Sequence, residues 1–307
     1  MQISTNLMFD KAISQMGKTK DRLGQVQLQL STSKSVLKPS DSPDKTTTMT
    51  RLQTAITRQD SYVATIKTTL DKLSQQETAL KSSSNILVRM KELAIQAAND
   101  TMSPQDRKEI GIEVAGLREQ VRSLANTQDV NGAFIFSGSR IDKPAYGTNV
   151  DGQRPYQGDQ TVGYVPVGAQ REVDNNRTGT QAFSRIIRTD QQGNQESVGF
   201  FKVMDDFVSA LVNNKPAEIQ RSVGELDIAQ HGMTESIANV GSGMNVLESQ
   251  QAVAEENILR MKTTLSDVKD VDYTEAITQM NKDMLALEAA QSSFSKISQM
   301  NLFDYIR

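Results

Sequence analysis

Residues 9–37, FDKAISQMGKTKDRLGQVQLQLSTSKSVL, place Phe9, Met16, Leu23, Leu30 and Leu37 at intervals of seven. Residues 273–294, YTEAITQMNKDMLALEAAQSSF, repeat the pattern with Tyr273, Met280, Leu287 and Phe294, and Ile277 and Met284 fill the alternate four-then-three positions. A seven-residue apolar repeat is the seam of a coiled coil. The two seams lie at opposite ends of the chain, so the expected fold zips the ends together. Phe9, Ile13, Met16, Leu23 and Leu30 would meet Tyr273, Ile277, Met280, Met284, Leu287 and Phe294. The expected class is mainly α: a long coiled-coil-like helical bundle built from both chain ends, with a small β-rich inserted domain. Such a chain is built for assembly rather than as a compact enzyme.

Charge supports the pairing. Residues 1–45 hold seven Lys/Arg and four Asp/Glu, whereas residues 266–307 hold four Lys/Arg and seven Asp/Glu. Each exposed ion pair adds only ~0–1 kcal/mol, so the charge seconds the heptads and does not prove them. The overall net charge of −3 lacks the basic footprint of a nucleic-acid binder. Aromatic residues make up 5% of the chain and Trp is absent, which leaves Leu, Ile, Val, Ala and Met to fill helix–helix seams. Thirteen Met, many at seam positions, suit soft and adaptable packing. No Cys is present, which excludes disulfides, thiolate metal sites and a Cys nucleophile. The first residues show no signal-peptide pattern, and no stretch reaches the ~18 apolar residues of a membrane span. The expectation is no membrane and no nucleic-acid partner.

Along the chain, residues 5–37 read as one helix, stopped by Lys38-Pro39-Ser40-Asp41-Ser42-Pro43. Residues 46–99 read as a second, with Ile56, Val63 and Leu70 alternating with Ile66, Leu73, Leu80 and Leu87. Some 50 helical residues would run ~75 Å, too long for a compact domain. Ser103-Pro104-Gln105-Asp106 reads as a capping box that opens a third helix through Ile110, Val114, Leu117, Val121 and Leu124. It is expected to end near the turn pair Asn131-Gly132. From about 138 to 198 the helical period disappears, and Tyr156, Val162, Tyr164, Val165 and Val167 among Gly and Pro suggest short strands. Helices return with Phe200, Met204, Phe207 and Leu211. Another begins at Pro216, with Ile219, Val223, Leu226, Met233, Ile237 and Val240 in register. Gly241-Ser242-Gly243 is expected to interrupt it, and a last long helix to start near Asn245.

Residues that carry chemistry are sparse. His231 is the single histidine and sits on the polar side of a helix, the position of a solvated side chain. With one His and no Cys, zinc would need carboxylates almost alone. No HExxH, Walker A, GxSxG or EF-hand pattern occurs. Asp267, Asp270 and Asp272 could gather a cation, but read more simply as a solvated junction between helices. Asn99-Asp100-Thr101 and Asn176-Arg177-Thr178 fit a glycosylation sequon that arises often by chance. The expected sites are therefore neither catalytic nor metal-binding, and no cofactor is implied.

Several short stretches resemble the flagellin family. They are Ile3-Ser4-Thr5-Asn6, the Pro39–Pro43 break, Leu93-Ala94-Ile95-Gln96-Ala97-Ala98-Asn99 followed by Ser103-Pro104, Asp272-Tyr273-Thr274-Glu275-Ala276, and Asn301-Leu302-Phe303. Asn131-Gly132-Ala133-Phe134-Ile135-Phe136-Ser137-Gly138, followed by Lys143-Pro144, is similar to the hook–filament junction branch rather than to the filament subunit. The resemblance implies a domain plan. Residues 1–45 and 266–307 would pair as an inner tube, 46–140 and 196–265 would form a helical rod, and 141–195 would be a solvent-facing β-rich insert. It also implies secretion through the flagellar type III export channel with an export chaperone, and an extracellular place in the flagellum. The implied partners are further copies of the chain in a ring, a preceding hook-associated junction protein, and flagellin. Arg89, Leu93 and Glu113 fall where flagellins are read by an innate immune receptor, beside the altered context of Met90 and Lys91; the resemblance gives them a subunit-contact role.

Two other readings stay open at this level. One takes the chain as flagellin proper, which would form long filaments alone. The other takes it as a flagellin scaffold with an enzymatic or glycan-binding insert, Tyr146, Tyr156 and Tyr164 being the rings that would stack on a sugar. The absence of any His in 138–198 argues against a zinc protease there.

Overall fold

The computed structural model describes residues 2–147, 155–189 and 195–303. It is mainly α, as the periodicity requires. The elements are α1 (Gln2–Thr32), a 3-10 turn (Pro39–Asp41), α2 (Pro43–Ala97), α3 (Pro104–Ala125), β1 (Tyr164–Gly168), β2 (Arg171–Asp174), α4 (Gly179–Ala182), β3 (Ile186–Thr189), β4 (Gln195–Val198), α5 (Phe200–Val212), α6 (Pro216–Lys269) and α7 (Tyr273–Phe303). Two compact units result, one of residues 1–58 with 257–307 and one of residues 59–256.

Within the second unit, α2 buries Ile66, Thr69, Leu73, Gln76, Leu80, Ser83, Leu87, Met90, Ala94 and Ala97, an alternation of three and four residues. α6 answers with Ile219, Ser222, Leu226, Ala229, Met233, Ser236, Val240 and Leu247. The two helices run antiparallel: Gln230 Nε2 donates to Ser84 Oγ at 2.8 Å, and Lys91 pairs with Asp227. Gly241-Ser242-Gly243 does not interrupt α6, contrary to its reading as a break. Each helical Gly costs about 1 kcal/mol relative to Ala, but the flanking Val240 and Leu247 are buried, and that packing outweighs the cost. Gly243 lies on the seam itself, where a Cβ would sit 3.9 Å from Leu73 Cδ1.

α3 opens as its capping box requires: Asp106 N donates to Ser103 Oγ at 3.2 Å, and Ser103 N donates to Asp106 Oδ2 at 3.2 Å. The buried Arg107 guanidinium donates to Ala97 O and Asn99 O, both at 3.0 Å, and so satisfies carbonyls left open where α2 ends. α3 ends six residues before Asn131. Asn126 leaves the helix because its side chain brackets Tyr146, with Nδ2 donating to Tyr146 O at 2.8 Å and Tyr146 N donating to Asn126 Oδ1 at 2.9 Å. Asn131-Gly132 is a turn, with Gly132 at φ 78° and Asp129 Oδ1 accepting from Asn131 N and Ala133 N.

The strands form two separate antiparallel hairpins, β1–β2 and β3–β4. They sit inside the second unit. Ala145, Tyr146, Val167, Phe183, Ile186 and Val198 belong to the same buried cluster as the helices. Its aromatic rings concentrate here. Phe136 meets Phe183 edge to face at 5.4 Å, Tyr146 packs on Phe201 at 4.6 Å, and Phe183 meets Phe200 at 5.3 Å. Polar fasteners lock the loops: Gln76 Nε2 donates to Ile135 O at 2.7 Å, and Tyr146 Oη donates to Gly179 O at 2.9 Å. Burial pushes the Tyr146 phenol well above its usual range. Arg188 of β3 reaches Glu225 at 2.6 Å and Asp206 at 2.8 Å, tying the hairpin to α6 and α5.

In the first unit, α1 stops at Thr32 rather than Leu37, because Ser33 takes a φ of 59° and the chain turns to pair with the α6–α7 junction. Ser35 N donates to Lys269 O at 2.8 Å and Val271 N to Ser33 O at 3.2 Å, with Lys34 and Asp270 bridged between them.

Candidate functional site

The two end helices pair antiparallel from Phe9 and Phe294 to Ser33 and Tyr273. Phe9 meets Phe294 edge to face at 5.4 Å, Arg22 Nη2 lies 3.4 Å from Asp283 Oδ1, and Ser33 Oγ lies 2.5 Å from Tyr273 Oη. On α1 the less exposed positions include Phe9, Ala12, Met16, Thr19, Leu23, Val26 and Leu30, with Gly24 and Gln29 beside that strip. On α7 they are Ala276, Met280, Asp283, Leu287, Ala290 and Phe294. Both lists step by three and four, so the seam is a heptad seam. The structure therefore brings Phe9, Met16, Leu23 and Leu30 together with Met280, Leu287 and Phe294.

Four of the expected seam residues lie outside this intrachain strip. Ile13, Tyr273, Ile277 and Met284 are 54%, 49%, 45% and 43% exposed. The alternate seam positions on α7 are Ala276 and Asp283, one residue earlier than Ile277 and Met284. A search for large apolar residues passes over Ala12, Thr19, Ala276, Asp283 and Ala290, which are small or polar. Their own seven-residue spacing is the signal that finds them. Leu7, Leu28 and Leu285 add to the exposed apolar surface on the same two helices. An open groove lined by Ile13, Met16, Leu23, Leu287 and Phe294 runs past Gly17 and Gly24, neither of which has anything within 4 Å of where a Cβ would stand. An amphipathic pair that leaves this much apolar surface uncovered has the character of an interface.

Among the residues expected at a subunit contact, Leu93 is buried in the core of the second unit. Arg89 and Glu113 face outward and join α2 to α3: Arg89 Nε and Nη2 both donate to Glu113 Oε1 at 3.0 Å, and Nη1 reaches Glu92 at 3.2 Å. Those bonds raise the Arg89 pKa above its usual value. Exposed Val88, Ile95 and Ile112 lie on the same helices.

Among the described residues no group of three or more His, Cys, Asp or Glu could hold a metal ion. The acidic junction has structural employment, since Asp272 Oδ1 accepts from Thr274 N at 2.8 Å and Glu275 N at 3.1 Å to cap α7, and Asp270 accepts from Ser266. His231 is 82% exposed at the side chain, 3.7 Å from Asp227. Asn176 is buried and holds the backbone of Gly163 and Thr161. Of the three tyrosines weighed for sugar stacking, Tyr146 is buried with its ring tilted against that of Phe201 and Tyr156 is half-buried, leaving Tyr164 exposed. No described helix is long and apolar enough to cross a membrane.

Comparison with known proteins fits this geometry. Residues 3–140 match the bacterial flagellin N-terminal helical region, and residues 223–306 match the bacterial flagellin C-terminal helical region. The flagellar hook-associated protein 3 of Salmonella typhimurium is 25% identical over the whole of both chains. Its Escherichia coli counterpart is 26% identical over 99% of each. A solved flagellar hook-associated protein from Vibrio parahaemolyticus, 26% identical, superposes with a TM-score of 0.64 and covers 75% of this chain and all of that one. A paired-end heptad seam and matches to both terminal helical regions lead to one conclusion: the chain belongs to the flagellin family, and within it resembles hook-associated protein 3.

Proposed function

We propose that this chain is a structural adaptor of the bacterial flagellum, a ring of whose subunits joins hook to filament. As a flagellin-family chain it is an exported, extracellular component of the flagellum. The observation that carries the reading is the antiparallel seam of α1 and α7, joined to full-length similarity to proteins named hook-associated protein 3. The mechanism is packing. Each subunit pairs its own ends, and the exposed apolar residues of that pair, Ile13, Tyr273, Ile277, Met284 and Leu285, meet neighbouring subunits. On this reading residues 1–45 and 266–307 line an inner tube, 46–140 with 196–265 form the surrounding rod, and 141–195 faces outward. Arg89 and Glu113, set among Val88, Ile95 and Ile112, form a second contact along the assembly. The partners are further copies of the chain, a preceding hook-associated junction protein, flagellin and an export chaperone. No catalysis is involved.

The deciding experiment adds purified protein to isolated hooks that already carry the preceding junction protein, then supplies flagellin. Addition of a limited layer followed by flagellin growth supports the adaptor. Unlimited growth of this chain alone identifies a filament subunit instead.

A further inference from the structure

We infer that Asp283, with Arg22 and Thr19, is a register and partner-selection device in the terminal seam: a polar layer that admits α1 against α7 in one alignment and rejects α7 against its own kind. Asp283 occupies an inward heptad position and is 3% exposed, although its seam neighbours Met280 and Leu287 are apolar. Both its carboxylate oxygens are engaged. Oδ1 faces Arg22 Nη2 at 3.4 Å, and Oδ2 accepts from Gln279 Nε2 at 3.0 Å. On the facing helix Thr19 is also buried at an inward position; its hydroxyl donates to Gln15 O at 3.0 Å and accepts from Arg22 Nη2 at 3.4 Å. The polar residues of the two helices therefore coincide in one layer, while the layers on either side are Met16 with Leu287 and Leu23 with Met280.

That coincidence selects the pairing. Sliding α7 by one heptad would set Asp283 opposite Ala12 or Val26 and take it away from Arg22. A carboxylate buried without its cation is strongly unfavourable, whereas the same ion pair kept whole is close to neutral against an apolar replacement. Pairing α7 with α7 would bury the acidic groups of two copies with no Arg22 to meet them. The apolar positions cannot make these distinctions, because both seams repeat every seven residues and accept any shift of seven. A single polar position in an apolar heptad is the best-attested way to fix register and partner. The chain needs such a device because Ile13, Leu28, Ile277, Met284 and Leu285 offer further apolar surface for wrong pairing.

The chain contains no Cys, so cross-linking reports the pairing directly. Ala12→Cys with Ala290→Cys places thiols at seam positions of the native alignment, and Ala290→Cys alone reports α7 against α7 between molecules. In the otherwise unchanged full chain, oxidation is expected to give the intramolecular 12–290 link and few disulfide dimers. Adding Asp283→Leu is expected to raise the dimer yield of the Ala290→Cys chain at least tenfold and to reduce the intramolecular link, with helix content unchanged. Asp283→Asn keeps a polar side chain but removes the charge, and is expected to raise the dimer yield part of the way toward that of Asp283→Leu. If Asp283→Leu keeps the intramolecular link with no added dimer, the layer does not select the pairing. If Asp283→Leu loses helix content and forms neither link, or if Asp283→Asn keeps the parent pattern, the charge of the layer does not select the pairing and the inference is overturned.

Discussion

Phe9 and Phe294, from opposite ends of the chain, meet edge to face with their ring centroids 5.4 Å apart and their planes at 88°. An aromatic pair of this geometry adds about 0.5–1.5 kcal/mol beyond the area it buries. It anchors the far end of a seam whose other end is tied by Ser33 and Tyr273 and by backbone bonds from Ser35 and Val271. Between them most seam side chains are only half-buried, so the pair is held by many small contributions rather than by one sealed core.

Leu287 lies inside that seam and beside the groove that holds Met16 and Phe294. Leu287→Lys removes a half-buried side chain and sets an ammonium in its place. Full burial of a leucine is worth about 1.5–3 kcal/mol, so the loss here should be about 1–2 kcal/mol, lessened where the lysine snorkels outward. Amide exchange across α1 and α7 should quicken severalfold, while exchange in the middle of α2 and α6 stays as it was. Unchanged exchange at both ends would remove Leu287 from the seam.

Replacing residues 145–193 with a short Gly/Ser linker should strongly destabilise the second unit. The deletion takes away Tyr146, Val167, Phe183 and Ile186, all buried, and uncovers Phe136, Phe200 and Phe201. Removing a single buried Phe costs about 3–5 kcal/mol, and here Phe183 goes together with Tyr146, Val167 and Ile186. Thermal unfolding by circular dichroism should show the loss. A shortened chain that melts as the parent does would mean that the helices alone complete the core.

Gly179 is wedged between two rings. A Cβ there would stand 2.5 Å from Tyr156 Cε2 and 3.1 Å from Tyr146 Cε2. Neither ring can swing away freely, since Tyr146 Oη donates to Gly179 O and Tyr156 Oη donates to Asp159 O at 2.7 Å. Gly179→Ala should cost about 1–3 kcal/mol through overpacking. A lowered urea midpoint at constant slope is the expected result.

Asp159 gives the second unit an acid-sensitive clasp. The Ser139 hydroxyl and the Ser139 and Thr161 backbone N–H groups all donate to its carboxylate and lower its pKa from 3.8 to about 2. A carboxyl lowered on folding stabilises the folded state above its ordinary value and loses that effect as pH falls toward about 2. Acid unfolding followed from pH 5 to pH 2 should therefore begin at higher pH once the clasp is weakened. In Asp159→Asn the second unit should be less stable at pH 7 and less sensitive to pH between 4 and 2. Parallel acid profiles for the two chains would exclude the clasp.

The helical class, the capping box at Ser103, the turn at Asn131-Gly132 and the pairing of the two ends were legible in the residues, because each rests on local chemistry or on a period. A heptad of Phe, Met and Leu can bury its stripe only against another such stripe, and the chain has them at both ends. Other features depended on neighbours distant in sequence. Gly241-Ser242-Gly243 reads as a break and stays helical because Val240, Leu247 and the approach of Leu73 outweigh two glycines. The sparse aromatics read as too few for a core, yet they gather around Tyr146, Phe183 and Phe201 and build one where the helical period stops. Which residue of each heptad turns inward was also a tertiary decision. Large apolar side chains at Ile13, Ile277 and Met284 stay exposed, while Ala276 and Asp283 go inside. A helix presents a continuous surface, and only the helix it packs against determines which stripe of that surface becomes the seam.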